Sequence, residues 1–424
     1  MIKKLKPKSE FTKNVITLMT GSMIAQAIPI ALSPILTRIY TPEDFGVFAL
    51  YMSVASIFST FATGRYELAI MLPRKDGDAS NLLYLSLFIT VCITVISFFI
   101  ILFFNHKIVM LLESPFLLDW LYIIPLSVLF TGLYQSFNYW NNRKKQYVEL
   151  SVSRVAQSVT TGTTNLGMGW NTFGASGLII GALVGQIVGV LVLGRTIFKN
   201  KNQLLGKYHY IRMLALMKKY KKFPFLNLPN ALIDSFRMSG INMLIAKYFS
   251  TATLGQFSLA WKMVQVPIVL IGGALGQVFF QKVSSVKKSE LYEIIINYII
   301  KASLISAPIF SLIFFFSVDI FSFVFGENWK LAGEAASVMA PWLFINFVSS
   351  PLVSVMLVLN KQEWVLIFSF FYTSVPLGLL VLLKNTSFLD VLQTITWAMS
   401  IMLLLFSLVI IFYVKKERAK RCIS

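Results

Sequence analysis

Apolar residues fall along this chain in twelve blocks separated by short polar stretches. The blocks lie at roughly 14–38, 45–71, 81–104, 117–140, 152–171, 175–196, 224–248, 253–281, 294–317, 335–359, 364–383 and 388–414. Each is close to the ~20 residues that an α-helix needs to cross a bilayer. An even number of crossings puts both ends of the chain on one side. The pattern therefore predicts an all-α polytopic membrane protein of about twelve transmembrane helices. They are expected as two parallel six-helix bundles around a central cavity.

Composition sharpens this. The 424 residues are 56% hydrophobic with 37 Phe, and 13% are charged, against about 25% in soluble domains. So little charge leaves too little polar surface to cover a soluble globule. The net charge of +20 would ordinarily suggest nucleic acid or anionic lipid. Its distribution gives another reason. On the side of the termini lie 28 Lys and Arg, among them Lys3, Lys144, Lys218 and Lys415; the opposite side has five, Arg38, Lys107, Lys247, Lys330 and Lys384. Positive charge is retained in the cytoplasm, so both termini are expected there, in a bacterial cytoplasmic (inner) membrane, with membrane lipids and no nucleic acid as partners. The basic N-terminus lacks a small-residue cleavage site after a short apolar core and reads as a retained arm. Two cysteines, Cys92 and Cys422, make no disulfide framework. The ending RCIS has one residue too few after its Cys for a prenylation box. His106 and His209 stand alone, which gives no metal site.

The chain also repeats itself. Placing Lys247 under Arg38, an offset of 209, brings Gly255 under Gly46, Phe257 under Phe48 and Leu259 under Leu50. At an offset of 216, Pro341, Lys361 and Gln362 fall on Pro125, Lys145 and Gln146. The expected division is a six-helix bundle over 1–196, a basic cytoplasmic linker over 197–223, and a second bundle over 224–424. Because each half contains an even number of helices, the repeat is parallel about the membrane normal. The end of the linker, RMLALMKKYKKF, fits an interfacial amphipathic helix as well as it fits a solvated basic segment.

Candidate chemistry lies in polar residues at helical spacing within the lipid-length blocks. Ser53, Ser56, Thr60, Thr63 and Glu67 would share one face of the second helix, and Ser127, Thr131, Gln135 and Asn138 one face of the fourth. Arg154, Gln157, Thr161 and Thr164 do so in the fifth, and Asn227, Asn230, Asp234 and Arg237 in the seventh. Hydroxyls alone are commonly interhelical glue; stripes carrying charge point to a cavity. Arg237 and Asp234 lie about 20 and 15 Å into their helix and Lys262 about 13 Å into the eighth, near mid-membrane. Asp234 and Arg237, three residues apart, are placed to pair. Arg65 and Arg154 lie near the cytoplasmic mouth, where snorkelling is the competing explanation. Arg65 and Glu67, two apart, are expected on different faces and unpaired. Four interior cations, Arg65, Arg154, Arg237 and Lys262, against the carboxylates Glu67 and Asp234 suit an anionic substrate. Gly177, Gly181, Gly185 and Gly189 make a small-residue packing face in the sixth helix. Pro29, Pro34 and Pro267 are candidate kinks.

LSPILTRIYTPEDFGVFALYMSVASIF, the following TGRYELAIMLP, and FVFGENWKLAGEAASVMAPW with its FG-x-x-W-x-x-AG pattern (Phe325 to Gly333) resemble the Wzx-type polysaccharide-export flippases. These belong to the multidrug/oligosaccharidyl-lipid/polysaccharide (MOP) superfamily. The resemblance covers nearly the whole chain. It implies translocation of undecaprenyl-pyrophosphate-linked oligosaccharide from the cytoplasmic to the outer leaflet, for O-antigen, capsule or other surface polysaccharide. It implies no cofactor and no catalytic residue. Coupling to H+ or Na+ through Glu67 or Asp234 is open, as are a polysaccharide polymerase or chain-length machinery as partners. Two other readings stand beside it. A cation-coupled drug antiporter of the same architecture is expected to carry the opposite cavity charge. A membrane polymerase or ligase is expected to carry a large outer loop, and every outer loop here is short.

Overall fold

The computed structural model describes residues 10–199, 209–286, 290–359 and 361–422. The basic residues counted at 3–8, at 201 and 207, and at 287–288 lie outside them. The chain divides into two compact units, Met1–Met243 and Leu244–Ser424.

The first unit opens with α1 (Glu10–Ile39), which carries Pro29 and Pro34 without a break. α2 (Pro42–Phe61) starts on a capping box: Thr41 Oγ1 accepts from the Asp44 N–H, and the Asp44 carboxylate accepts from the Thr41 N–H. Both donors would otherwise be orphaned at a helix start. The second apolar block was expected to run as one helix to residue 71. Instead α2 ends at Phe61 and a 3-10 helix covers Tyr66–Met71. Between them Gly64 (φ 57°) and Arg65 (φ 63°) are left-handed, a conformation that cannot continue a right-handed helix and that Gly adopts without cost.

α3 (Asp76–Leu112) follows, then the short α4 (Leu118–Leu121) and α5 (Ile124–Arg143). Pro115–Leu121 and Ile124–Arg143 are bent by 52°, with Pro125 in the first turn of α5. α6 (Tyr147–Trp170) and α7 (Ala175–Lys199) pack closely on each other, and α1 packs on α6.

The linker end forms α8 (Tyr210–Lys219), with Met213 and Leu216 buried. It rests on α3: the Arg212 guanidinium donates to both Asp78 carboxylate oxygens at 2.7 and 2.8 Å. The His209 N–H donates to Asn81 Oδ1, and Tyr66 Oη to the Met217 carbonyl. The segment is thus an amphipathic helix lying on the basic end of the unit. A π-helical turn (Phe223–Asn227) leads into α9 (Leu228–Tyr248). The division between units falls inside α9. Asn242 of α9 donates to Ser53 Oγ, and Ser235 meets Ser56 Oγ at 3.3 Å, tying this helix to α2.

In the second unit α10 (Thr251–Val264) begins on Ser250, whose Oγ accepts from the Thr253 N–H. Thr41 and Ser250 are 209 residues apart, so the internal repeat preserves the cap that sets where the helix starts. The eighth block breaks after Pro267 into a π-helical turn (Ile268–Gly272) and α11 (Gly273–Ser285). α12 (Leu291–Phe325) packs against α13 (Lys330–Ser349), which also meets α10 and α16 (Phe388–Cys422). α14 (Val353–Val358) and α15 (Gln362–Leu382) complete the unit.

Among the described residues nine helical segments have the length and apolarity to cross a membrane, and the bent pair makes a tenth. α6 and α9 have 24 and 21 residues, long enough to span, but are more polar than the other ten. They are the helices that carry the Arg154 and Arg237 stripes. The chain is an all-α polytopic membrane protein. Bulky apolar side chains such as Phe103, Phe315 and Leu408 remain exposed on its long helices, the pattern of surfaces whose solvent is hydrocarbon.

Candidate functional site

A cavity of about 450 Å³ lies within the first unit, walled by α2, α5, α6 and α7. Three of the stripes read from the sequence converge on it. α2 contributes Ser56 and Thr60, α5 contributes Ser127, Thr131 and Gln135, and α6 contributes Gln157 and Thr161. Residues four apart share a helix face, so each helix presents a column of polar groups.

The glycine face of α7 makes this wall possible. A Cβ on Gly181 would overlap the Asn165 side chain, and one on Gly185 would overlap Thr161 and come within 2.8 Å of the Gln157 carbonyl. Only a bare backbone lets α6 approach this closely, which brings Gln157 and Thr161 level with α5.

Some lining groups are satisfied by protein. Tyr51 Oη and Ser127 Oγ are 2.7 Å apart, and Gln186 Nε2 donates to Thr131 Oγ1 at 2.6 Å. Gln135 and Gln157 are half-buried and, among the described residues, their amides have no protein hydrogen bond. A buried amide is costly to leave unpaired, so these two are groups for water or ligand to meet. Tyr51, Ser59 and Gln186 also line the cavity and were not singled out from the sequence. Gln186 was detectable: it is the only amide in the apolar run of α7.

Among the described residues, Arg65 is the only charged one lining this cavity. Contrary to the expectation of separate faces, its Nη1 lies 3.7 Å from Glu67 Oε1. The expectation assumed continuous helix; the left-handed turn at Gly64 and Arg65 removes the 100° step on which it rested. Glu67 is 1% exposed and Arg65 26%. Thr63 Oγ1 donates to Glu67 Oε2, whereas Arg65 Nε is buried without an acceptor among the described residues. Because α2 ends at Phe61, Thr63 and Glu67 do not continue its stripe; they bond to each other instead.

The other candidates stand elsewhere. Arg154 Nη1 donates to Ser22 Oγ of α1, so it turns away from the column that Gln157 and Thr161 form. Arg237 pairs with Asp234 at 3.4 Å on α9. Asn230 and Asp234 are exposed along the same helix, and Asn227 is exposed at the end of the π-helical turn before it. Lys262 belongs to the second unit, on α10, with no ion pair among the described residues. The four interior cations thus resolve into two carboxylate-paired arginines, one arginine on a serine and one lysine. Among the described residues no group of three or more His, Cys, Asp and Glu could hold a metal.

The fold has relatives of known structure. A multidrug-resistance MATE transporter of the MOP superfamily, inward-facing, aligns with TM-score 0.62 at 15% identity over 95% of this chain and 94% of its own. The lipid II flippase MurJ, inward closed, aligns with TM-score 0.72 at 13% identity over 94% of this chain and 87% of its own. A MOP-superfamily transporter from Pyrococcus furiosus, described as having a binding pocket of reversed polarity, aligns with TM-score 0.62 at 14% identity over 96% of both chains. At these identities the likeness establishes the fold. No curated protein sequence matches significantly. The model of the polysaccharide biosynthesis protein family matches residues 35–333, more than half of the chain and including the RIYTPEDFG and FG-x-x-W segments. On that match this chain belongs to the polysaccharide biosynthesis protein family.

Proposed function

We propose that this protein is a flippase that moves a polyprenyl-pyrophosphate-linked oligosaccharide from the cytoplasmic to the outer leaflet by alternating access, supplying surface polysaccharide synthesis. The observation that carries this reading is the lining of the first-unit cavity: one guanidinium among neutral amides and hydroxyls. Guanidinium matches phosphate in charge and in hydrogen-bond geometry. Amides and hydroxyls that both donate and accept match the hydroxyls of sugars. The family match supports the polysaccharide side of the reading, and the fold supports transport. Asp234 and Glu67 are candidates for H+ or Na+ coupling. The inner membrane, cytoplasmic termini and a polymerase or chain-length partner belong to the same proposal.

A drug antiporter of the same fold would be expected to offer organic cations a carboxylate. Among the described residues the lining contains none.

The test is mass spectrometry of polyprenyl-linked sugars in cells depleted of the protein, with leaflet accessibility scored. Accumulation of a pyrophosphate-linked oligosaccharide facing the cytoplasm is expected, and its mass identifies the saccharide. No change in any lipid-linked sugar would overturn the reading.

A further inference from the structure

We infer that Glu67 is a positioning residue that holds Arg65 at the cavity wall and must be displaced from it by the substrate's anion. This deepens the proposed function, resting on Arg65 as the phosphate contact.

The two members of the pair are held very differently. The Glu67 carboxylate is buried and anchored by the Thr63 hydroxyl. The guanidinium is anchored loosely: 3.7 Å from Glu67 exceeds the 2.7–3.2 Å of a formed N–H···O bond, and Nε has no acceptor among the described residues. Its backbone is left-handed, an uncommon state for a residue with a Cβ. That turn sets the Arg65 side chain between the cavity, which it lines, and the carboxylate beneath it. The geometry is therefore that of a fixed anion and a movable cation with unused donors.

Such a pair tunes affinity. With Glu67 ionised, the site is close to neutral, and an incoming pyrophosphate competes with an anchored carboxylate for one guanidinium. An unopposed Arg65 would hold the anion through more of the cycle and delay its release, since tight binding of the bound state lowers turnover. Thr63 acts in the opposite sense. By donating to the carboxylate it takes up part of its charge, which weakens the hold on Arg65.

The test is isothermal titration calorimetry of the full-length protein in lipid nanodiscs, with inorganic pyrophosphate and farnesyl pyrophosphate as probes. Glu67→Gln is expected to bind both about tenfold more tightly than the parent protein. Thr63→Val is expected to bind them severalfold more weakly, and Glu67→Asp to restore parent affinity. Arg65→Ala should abolish binding in either background. In a transport assay Glu67→Gln should lower both the half-saturating concentration and the turnover. Folding damage would weaken both neighbours' variants alike, so opposite signs identify the tether. Glu67→Gln binding no more tightly than the parent, with its melting temperature unchanged, would overturn the inference, and so would weakening in both variants. Failure of the flippase reading shows separately: depletion then leaves lipid-linked sugars unchanged while the tightening by Glu67→Gln persists.

Discussion

The Gln256 side chain clasps the entry to α13 from both sides: Oε1 accepts from the Ala332 N–H in its first turn at 3.0 Å, and Nε2 donates to the Asn328 carbonyl just before it. Between these contacts Trp329 is 1% exposed. Ser317 Oγ donates to the Gly333 carbonyl at 2.8 Å. The FG-x-x-W-x-x-AG pattern therefore describes a packed corner between α12 and α13. Gly326 takes φ 102° to turn it, Trp329 fills it, and Gly333 lets the helices meet, its Cβ position lying 2.7 Å from the Val318 backbone.

Gln256→Ala leaves the Ala332 N–H and the Asn328 carbonyl without their partner. An unmet buried group costs about 1–3 kcal/mol. The expected result is a melting temperature several degrees lower in detergent, with Gln256→Glu intermediate because it keeps the acceptor and loses the donor. An unchanged melting curve for Gln256→Ala would count against the clasp.

Gly185→Ala should separate α6 from α7, because the Gln157 carbonyl is backbone and cannot rotate out of the way. Overpacking of this kind costs about 1–3 kcal/mol. Gly273→Ala meets nothing within 4 Å and is expected to be neutral, or stabilising by about 0.4–1 kcal/mol through the unfolded chain. The contrast is read by melting temperature, and equal effects at the two sites would contradict it.

Removing a cavity amide should impair transport without impairing folding. Gln135→Ala and Gln157→Ala break no protein hydrogen bond among the described residues, so abundance and melting temperature should hold. Accumulation of lipid-linked saccharide at the cytoplasmic face should rise in both. Gln186→Leu additionally frees the Thr131 hydroxyl and is expected to lower stability as well.

The docking of α8 depends on the Arg212–Asp78 pair. Asp78→Asn should speed tryptic cleavage at Lys218 and Lys219, and the double exchange Asp78→Arg with Arg212→Asp should restore protection. Because Arg212 is 54% exposed, high salt should mimic the single substitution. Cleavage rates that ignore both changes would show that the buried Met213 and Leu216 and the bonds to Asn81 and Tyr66 hold the helix without the ion pair.

The charge asymmetry predicts an orientation that labelling tests. With Cys92 and Cys422 replaced by Ser, Phe173→Cys should react with an impermeant maleimide in whole cells. Lys219→Cys should react only after lysis. The reverse pattern would invert the protein in the membrane.

How much of this was legible in the chain depends on whether the determining forces are local. Length and apolarity of a segment decide whether it can span a bilayer, and Lys and Arg next to a span decide its direction. Both are sums over neighbouring residues, so the all-α polytopic class could be read directly. The Thr41 and Ser250 caps sit where the RIYTPEDFG alignment places them. The stripes of α2, α5 and α6 were equally legible, because 3.6-residue periodicity alone puts Ser56 with Thr60 and Gln157 with Thr161.

What only tertiary structure decided is the direction of individual side chains. Arg65 meets Glu67 because two left-handed residues redirect the backbone, and the identities of the flanking residues do not encode that rotation. Arg154 leaves its own stripe because Ser22 of a distant helix offers it an acceptor. Gln186 joins the cavity because α7, stripped of side chains at its glycines, rotates against α6. The seventh helix is joined to α2 by Asn242 and Ser235, contacts that no local pattern in the chain announces. Sequence determines how much polarity each helix carries; packing between helices far apart in the chain determines where that polarity points.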